Sequence, residues 1–201
     1  MLKIYHAQGS RSLRVVWLCE EMGVPYETAE ASFFKPSEGF KAANPLRTVP
    51  AMQDGDVTMI ESVAMMIYIM NKFGPTDLDV KPGEPGYADY LQFLMFGEAG
   101  MAAYGNPVVA TRYMAPDDQK QNWTVDYLKS AIIKRLNFTA DKLGDKPYVA
   151  ADRFTAADIS VSYICAAAKF AGIENDIPAR IKAYHDALAQ RPAYQRAAAV
   201  V

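Results

Sequence analysis

Between residues 75 and 86 the chain sets Pro75, Pro82, Gly83, Pro85 and Gly86 within one short stretch. Proline lacks the amide proton of a regular element and glycine lacks its conformational restriction, so such a stretch is a connector that divides the chain. Before it, short apolar runs alternate between the strand and the helix period. After it, only the helical period persists. The division predicts a mixed domain over 1–75, a linker over 76–86 and an all-helical domain over 87–201, and 201 residues suffice for two such cores, which together bury roughly 70% of the unfolded surface.

In the first part Leu2–His6 reads as a strand, and the turn Gly9-Ser10-Arg11-Ser12 leads into a helix that runs to Met22. Gly23 suits the left-handed position after a helix, and Pro25 follows at terminator distance. Tyr26–Ala31 reads as a second strand, joined to the first by a crossover and therefore parallel to it. Phe33–Ala43 is at most a short irregular helix. Two short apolar runs flank Asp54-Gly55, the pair expected in a tight hairpin, so Val49–Gln53 and Val57–Ile60 add two antiparallel strands. A helix from Ser62 carries Val63, Met66, Ile67 and Met70 at helical spacing and stops before Gly74-Pro75. The order βαβαββα is the thioredoxin-like α/β arrangement. Beyond the linker, four helices are expected over Gly86–Tyr113, Asp117–Leu143, Ala156–Ala171 and Pro178–Gln190, with a short fifth opened by Pro192. Thr155 with Asp158 three residues on forms a capping box at the head of the third, with Phe154 and Ile159 as its apolar staple.

With 21 Lys+Arg against 23 Asp+Glu and a net charge of -2, the chain lacks the basic footprint of a nucleic-acid binder. Hydrophobic residues at 51% and charged residues at 22% are ordinary globular usage and exclude disordered and disulfide-scaffold classes. No apolar run approaches a membrane span and no leader pattern opens the chain, so a cytoplasmic protein without membrane partners is expected. Cys19 and Cys165 lie apart, and Cys19 shares an apolar helical stripe with Val15, Leu18 and Met22. His6 and His185 are the only histidines and have no ligand spacing, so neither thiol redox chemistry nor a metal site is expected.

Several separated segments together resemble the cytosolic glutathione transferase family, across essentially the whole chain. They are Gly9–Arg14 at the entry to the first helix, Asn44-Pro45-Leu46-Arg47-Thr48-Val49-Pro50, the pair Glu61-Ser62, the box Phe154–Ile159, and Gln190-Arg191-Pro192-Ala193. The first segment looks like the serine-type and bacterial members. The resemblance implies a homodimeric transferase with glutathione as co-substrate, no metal, and a small hydrophobic electrophile as second substrate.

It also implies roles. Val49-Pro50 would be a cis bond whose preceding residue pairs its backbone with the cysteinyl part of glutathione. Ser62 at a helix start would offer its hydroxyl and N–H to the γ-glutamyl carboxylate, and Glu61 would accept from the ammonium. Arg47 would suit the glycyl carboxylate. Thiol activation falls to Ser10 first, then Ser12, with Arg11 as an auxiliary cation where cysteine-type members carry Cys. Ser10, Ser12 and Ser62 are also plain helix-cap residues, and Arg47 is also compatible with a solvated side chain. Tyr5, the hydroxyl of another subgroup, stands one residue too close to Gly9. Phe96, Met101, Tyr104 and Tyr113 would line the electrophile site or fill the core. A glutathione-dependent isomerase, dehalogenase or disulfide reductase, and a non-catalytic binding module, share the same pattern.

Overall fold

The computed structural model describes residues 1–32 and 35–201. Its first half is β1 (Leu2–His6), α1 (Ser12–Met22), β2 (Tyr26–Glu30), α2 (Glu38–Ala43), β3 (Ala51–Asp54), β4 (Val57–Ile60) and α3 (Ser62–Phe73). The expected order βαβαββα is present, and the part of the expected Phe33–Ala43 helix that falls on residues 33 and 34 lies outside the described residues. The sheet runs β2-β1-β3-β4. β1 pairs in parallel with β2 from Leu2↔Tyr26 to His6↔Glu30, and antiparallel with β3 through Ile4↔Met52. β3 and β4 close a hairpin whose last pair is Asp54↔Val57, so the loop is Gly55-Asp56, with Gly55 at φ 59° supplying the left-handed residue.

Helix α1 buries Leu13 through Cys19 without interruption, which makes it a core helix rather than a half-exposed one. It ends at Gly23, at φ 65°. Arg14 is fully buried on this helix among apolar neighbours. On α3, Met65, Met66 and Met70 are buried within the chain, so these methionines fill the core and present no surface to a second copy.

The second half contains α4 (Tyr87–Met95), a π-helical turn (Phe96–Ala102), α5 (Ala103–Met114), a 3-10 turn (Asp117–Gln119), α6 (Trp123–Leu143), α7 (Ala156–Ala166), α8 (Ala168–Ala171), α9 (Ala179–Ala189) and α10 (Pro192–Ala198). Two of the expected helices are therefore subdivided. The span from Gly86 to Tyr113 is broken by the π turn, where Gly97 lies so close to Ser160 of α7 that a Cβ would overlap it. Ala167, at φ -88° and ψ -4°, separates α7 from α8.

Two compact units result: residues Met1–Asp79 with Ala189–Val201, and Val80–Leu188. This division departs from the expected 1–75, 76–86 and 87–201, because α10 belongs with the first unit. It is fastened there by the T-shaped pair Trp17–Tyr194, with ring centroids 4.8 Å apart, and by Arg191 donating to both oxygens of Glu21 at 2.6 and 2.8 Å.

The box at the start of α7 forms as expected. Asp158, fully buried, accepts from the Thr155 N–H at 2.8 Å and the Thr155 hydroxyl at 3.1 Å on one oxygen. Its other oxygen accepts from the Val149 N–H at 3.0 Å and the Tyr184 hydroxyl at 2.7 Å. Burial nevertheless pushes its carboxyl up to about 6, with those donors pulling the other way.

Candidate active site

The turn between β1 and α1 is closed by the Ser10 N–H on Ala7 O at 3.1 Å and the Leu13 N–H on Ser10 O at 3.1 Å, with Gly9 at φ 74° making the reversal. Arg11, not a serine, occupies the cap position of α1, and its side chain makes no cap hydrogen bond. The two serines are spent on each other. Ser10 Oγ lies 2.7 Å from Ser12 Oγ and accepts the Ser12 N–H at 3.3 Å. Ser12 is fully buried and Ser10 is half-buried, so Ser10 is the outer hydroxyl of the pair.

Behind Ser12 stands His6, also buried, with Nδ1 2.8 Å from Ser12 Oγ and Nε2 3.2 Å from the Val200 carbonyl oxygen. A carbonyl oxygen only accepts, so Nε2 donates to Val200. Burial holds the ring below its usual pKa, against the opposing effect of the Val200 hydrogen bond, so it is neutral at pH 7 and Nδ1 is left as an acceptor. Ser12 then donates to Nδ1, its Ala7 O alternative being longer at 3.3 Å, and Ser10 donates to Ser12. The order Ser10, Ser12, His6, Val200 is a single hydrogen-bonded chain with one direction.

Beside this turn, the first residue of α3 is Ser62, buried, and Arg14 donates to its Oγ at 3.2 Å. A guanidinium cannot accept, so the hydroxyl proton of Ser62 is left to donate elsewhere. The preceding Glu61 is exposed and sits at φ 73°, ψ 101°, a conformation that strains a residue with a Cβ by about 1–3 kcal/mol. Strain of that size persists only where the surrounding structure over-determines the backbone.

The remaining expected residues lie on the loop before β3. Val49–Pro50 is cis, and both residues are buried. Among the described residues neither the N–H nor the C=O of Val49 takes a hydrogen-bond partner. The loop is shaped by Asn44, fully buried, whose side chain donates to Thr48 O at 2.6 Å and Thr48 Oγ1 at 3.0 Å and accepts the Leu46 N–H at 2.9 Å. Arg47 is exposed on it at φ 55°. Tyr5 is in the core against Phe40, with centroids 5.5 Å apart, and its hydroxyl donates to Gln53 at 3.2 Å.

Sequence reasoning missed Arg14, His6 and Asn44. Arg14 did carry a signal, as the one cation on a helical stripe that is otherwise apolar. Both cysteines are driven by burial to about 12, Cys19 and Cys165 alike, so neither is a nucleophile at neutral pH. Among the described residues no group of three or more His, Cys, Asp or Glu is placed to hold a metal ion. Among the described residues no helix is long and apolar enough to cross a membrane.

In the second unit, Met101 is fully buried and Tyr104 is half-buried, accepting from Arg135 at 2.7 Å with the guanidinium 4.1 Å from its ring centroid. Phe96 packs edge-on against Phe93 and Phe138. Met101 is therefore core, and of the four expected lining residues only Tyr113 is exposed.

Residues 4–77 match the glutathione S-transferase N-terminal domain and residues 105–195 match the glutathione S-transferase C-terminal domain. Glutathione S-transferase 1 of Zea mays is 30% identical over 100% of this chain and 97% of its own length. The chain belongs to the glutathione S-transferase family. Glutathione S-transferase 3 of Schizosaccharomyces pombe is 28% identical over 98% of this chain and 87% of its own length. Among solved structures, the glutathione transferase URE2P6 from Phanerochaete chrysosporium, crystallised with oxidized glutathione, superposes with a TM-score of 0.83 at 26% identity, covering 98% of this chain and 94% of that one. The fold of this transferase is thus the thioredoxin-like sheet followed by helices that the family shares.

Proposed function

We propose that this transferase binds glutathione on its first unit and holds the thiol as a thiolate for attack on a small hydrophobic electrophile. The observation that carries the reading is the start of α3, where strained Glu61 precedes a buried Ser62 whose hydroxyl is oriented by a buried arginine. Ser62 donates to the γ-glutamyl carboxylate, assisted by the α3 N-terminus and the charge of Arg14, and Glu61 accepts from the ammonium group. The unpartnered N–H and C=O of Val49 suit the cysteinyl backbone, which lies along the loop like one more strand. Arg47, exposed nearby in sequence, suits the glycyl carboxylate.

The thiol falls to Ser10, the outer hydroxyl, with Ser12 fixing it from behind and Arg11 adding positive charge. A free thiol near pKa 8.5 is only a few per cent ionised at pH 7, so each donor that favours the thiolate raises the reactive fraction directly. A homodimer is proposed on the family alone, since the methionines of α3 are buried; a monomeric mass by sedimentation at micromolar concentration would remove it.

Ser10→Ala tests the thiol assignment. The expected result is a raised thiol pKa of bound glutathione and a slower reaction with an aryl halide, while glutathione affinity stays nearly unchanged, because the other groups of the tripeptide are held elsewhere. An unshifted thiolate titration moves the role away from Ser10. A panel of aryl halide, organic peroxide and mixed disulfide then sorts transfer from peroxide or disulfide reduction.

A further inference from the structure

The chain Ser10, Ser12, His6, Val200 has a direction that matters for the thiol. With Nε2 of His6 held by the Val200 carbonyl, every hydroxyl proton points inward, and Ser10 shows the site a lone pair rather than a proton. A thiolate needs the opposite. It is stabilised by a donor, and reversal of the whole chain lets Ser10 favour the anion while keeping its hydrogen bond to Ser12, which rotation of the Ser10 hydroxyl alone would break.

We propose that His6 is a positioning residue that stores the glutathione proton: ionisation of the thiol and reversal of the serine chain are one event, ending with the proton on His6 Nδ1. This rests on the assignment of Ser10 to the thiol made above. The S–H bond breaks and its proton goes to Ser10 Oγ, while the Ser10 proton passes to Ser12 Oγ and the Ser12 proton to His6 Nδ1. Sulfur keeps the electron pair, both serines end as neutral hydroxyls, and the imidazolium donates from Nδ1 to Ser12 and from Nε2 to Val200. Ser10 now donates to the thiolate. Both distances along the path, 2.7 and 2.8 Å, are those of good hydroxyl hydrogen bonds and need no side-chain movement.

The surroundings favour a transfer that leaves the site's net charge unchanged. His6 is buried, and an imidazolium created there alone would be poorly solvated; one created together with a thiolate is paired. The ring is faced by Ser12 from α1 and by the Val200 carbonyl from the segment after α10. Glu30, its partner in register on β2, is exposed. Charged residues on the packed helices are Arg14, Glu20 and Glu21 on α1, with Arg11 at its cap, and Arg196 on α10, with Arg191 at its cap; Arg191 and Arg196 are engaged with Glu21 and Glu20. Free thiol and free imidazole differ by about two pKa units and the burial of His6 widens that gap, so the donors around the thiolate have to supply a bias of more than roughly a hundredfold.

The segment after α10 has a part in this. By accepting from Nε2 it keeps the other ring nitrogen as the one facing Ser12, which is the tautomer that can receive a proton from the chain.

The test is proton counting. Glutathione is titrated into the wild-type protein at pH 7 by calorimetry in two buffers of different ionisation heat, and the thiolate formed is read from its ultraviolet absorbance. Storage on His6 predicts markedly fewer protons released to buffer than thiolates formed. Release equal to the thiolate formed, in a protein that binds glutathione and forms thiolate, overturns the proposal and leaves the Ser10 assignment standing. Absence of glutathione binding, or of thiolate, overturns the underlying reading and the proposal with it. His6→Asn, which retains an acceptor for Ser12 but not a base, is expected to lower the thiolate fraction several-fold and bring release and thiolate to equality. Ser12→Ala, which cuts the chain but leaves the imidazole in place, is expected to give the same equality. Thiolate and release both unchanged in a folded His6→Asn protein also contradict the proposal.

Discussion

In the proposed glutathione site, Glu61 sets stability against binding in one residue. Its φ of 73° is natural for glycine and strained for glutamate, so Glu61→Gly relieves strain while deleting the carboxylate. We expect the variant to match or exceed the wild type by up to about 1 kcal/mol in denaturant unfolding and to bind glutathione more weakly. A clear loss of stability would show that the backbone is not strained there. His185 offers a different single-residue test. Ser162 Oγ lies 2.7 Å from its Nδ1, and burial holds its pKa below the ordinary value, outweighing Asp186. A base whose folded pKa is lowered binds fewer protons than the unfolded chain, so its contribution is intact above about 6.5 and is lost as pH falls below that value. Asp158, raised to about 6, acts in the opposite sense between about 4 and 6, and is common to wild type and variant. Thermal unfolding of His185→Gln from pH 7.5 to 5 is therefore expected to fall less steeply than that of the wild type; parallel curves would exclude His185 as a source of acid lability.

At the level of elements, the parts legible in the sequence are those encoded by neighbours in the chain. Gly23 stops α1, Asp54-Gly55-Asp56 turns the hairpin, and Thr155 with Asp158 starts α7, because each device acts within a few residues. Thr155→Ala removes one donor to the buried carboxylate and a favoured cap residue, with an expected cost of about 0.5–2 kcal/mol in chemical denaturation and no direct effect on the proposed glutathione contacts. An unchanged midpoint and slope would mean that Asp158 and Tyr184 hold the helix start without it. What the helical period did not reveal is the π turn at Phe96–Ala102. Its apolar spacing continues the pattern of α4, and the break answers a close approach between Gly97 and Ser160, more than sixty positions away. Arg14 on Ser62 and His6 on Val200 escaped for the same reason, since a hydrogen bond between distant residues leaves no periodic trace.

For the molecule as a whole, the order of elements and the family were readable because five motifs occur in register along the chain. Membership of α10 in the first unit was not, since nothing local in Pro192–Ala198 says that Arg191 will reach Glu21. The residues expected at the site divide in the same way. Ser10, Ser12 and Ser62 are proposed from their positions in the sequence, whereas the hydrogen bonds of Ser12 to His6 and of Ser62 to Arg14 are visible only in the folded chain. The central claim is that the start of α3, organised by Arg14, is where glutathione is held. Calorimetric titration of glutathione into the wild type and Ser62→Ala measures it directly. Saturable binding by the wild type, weakened by about 1–3 kcal/mol in a folded Ser62→Ala protein, is the predicted result; equal affinity in the two, or no binding by the wild type, would contradict it.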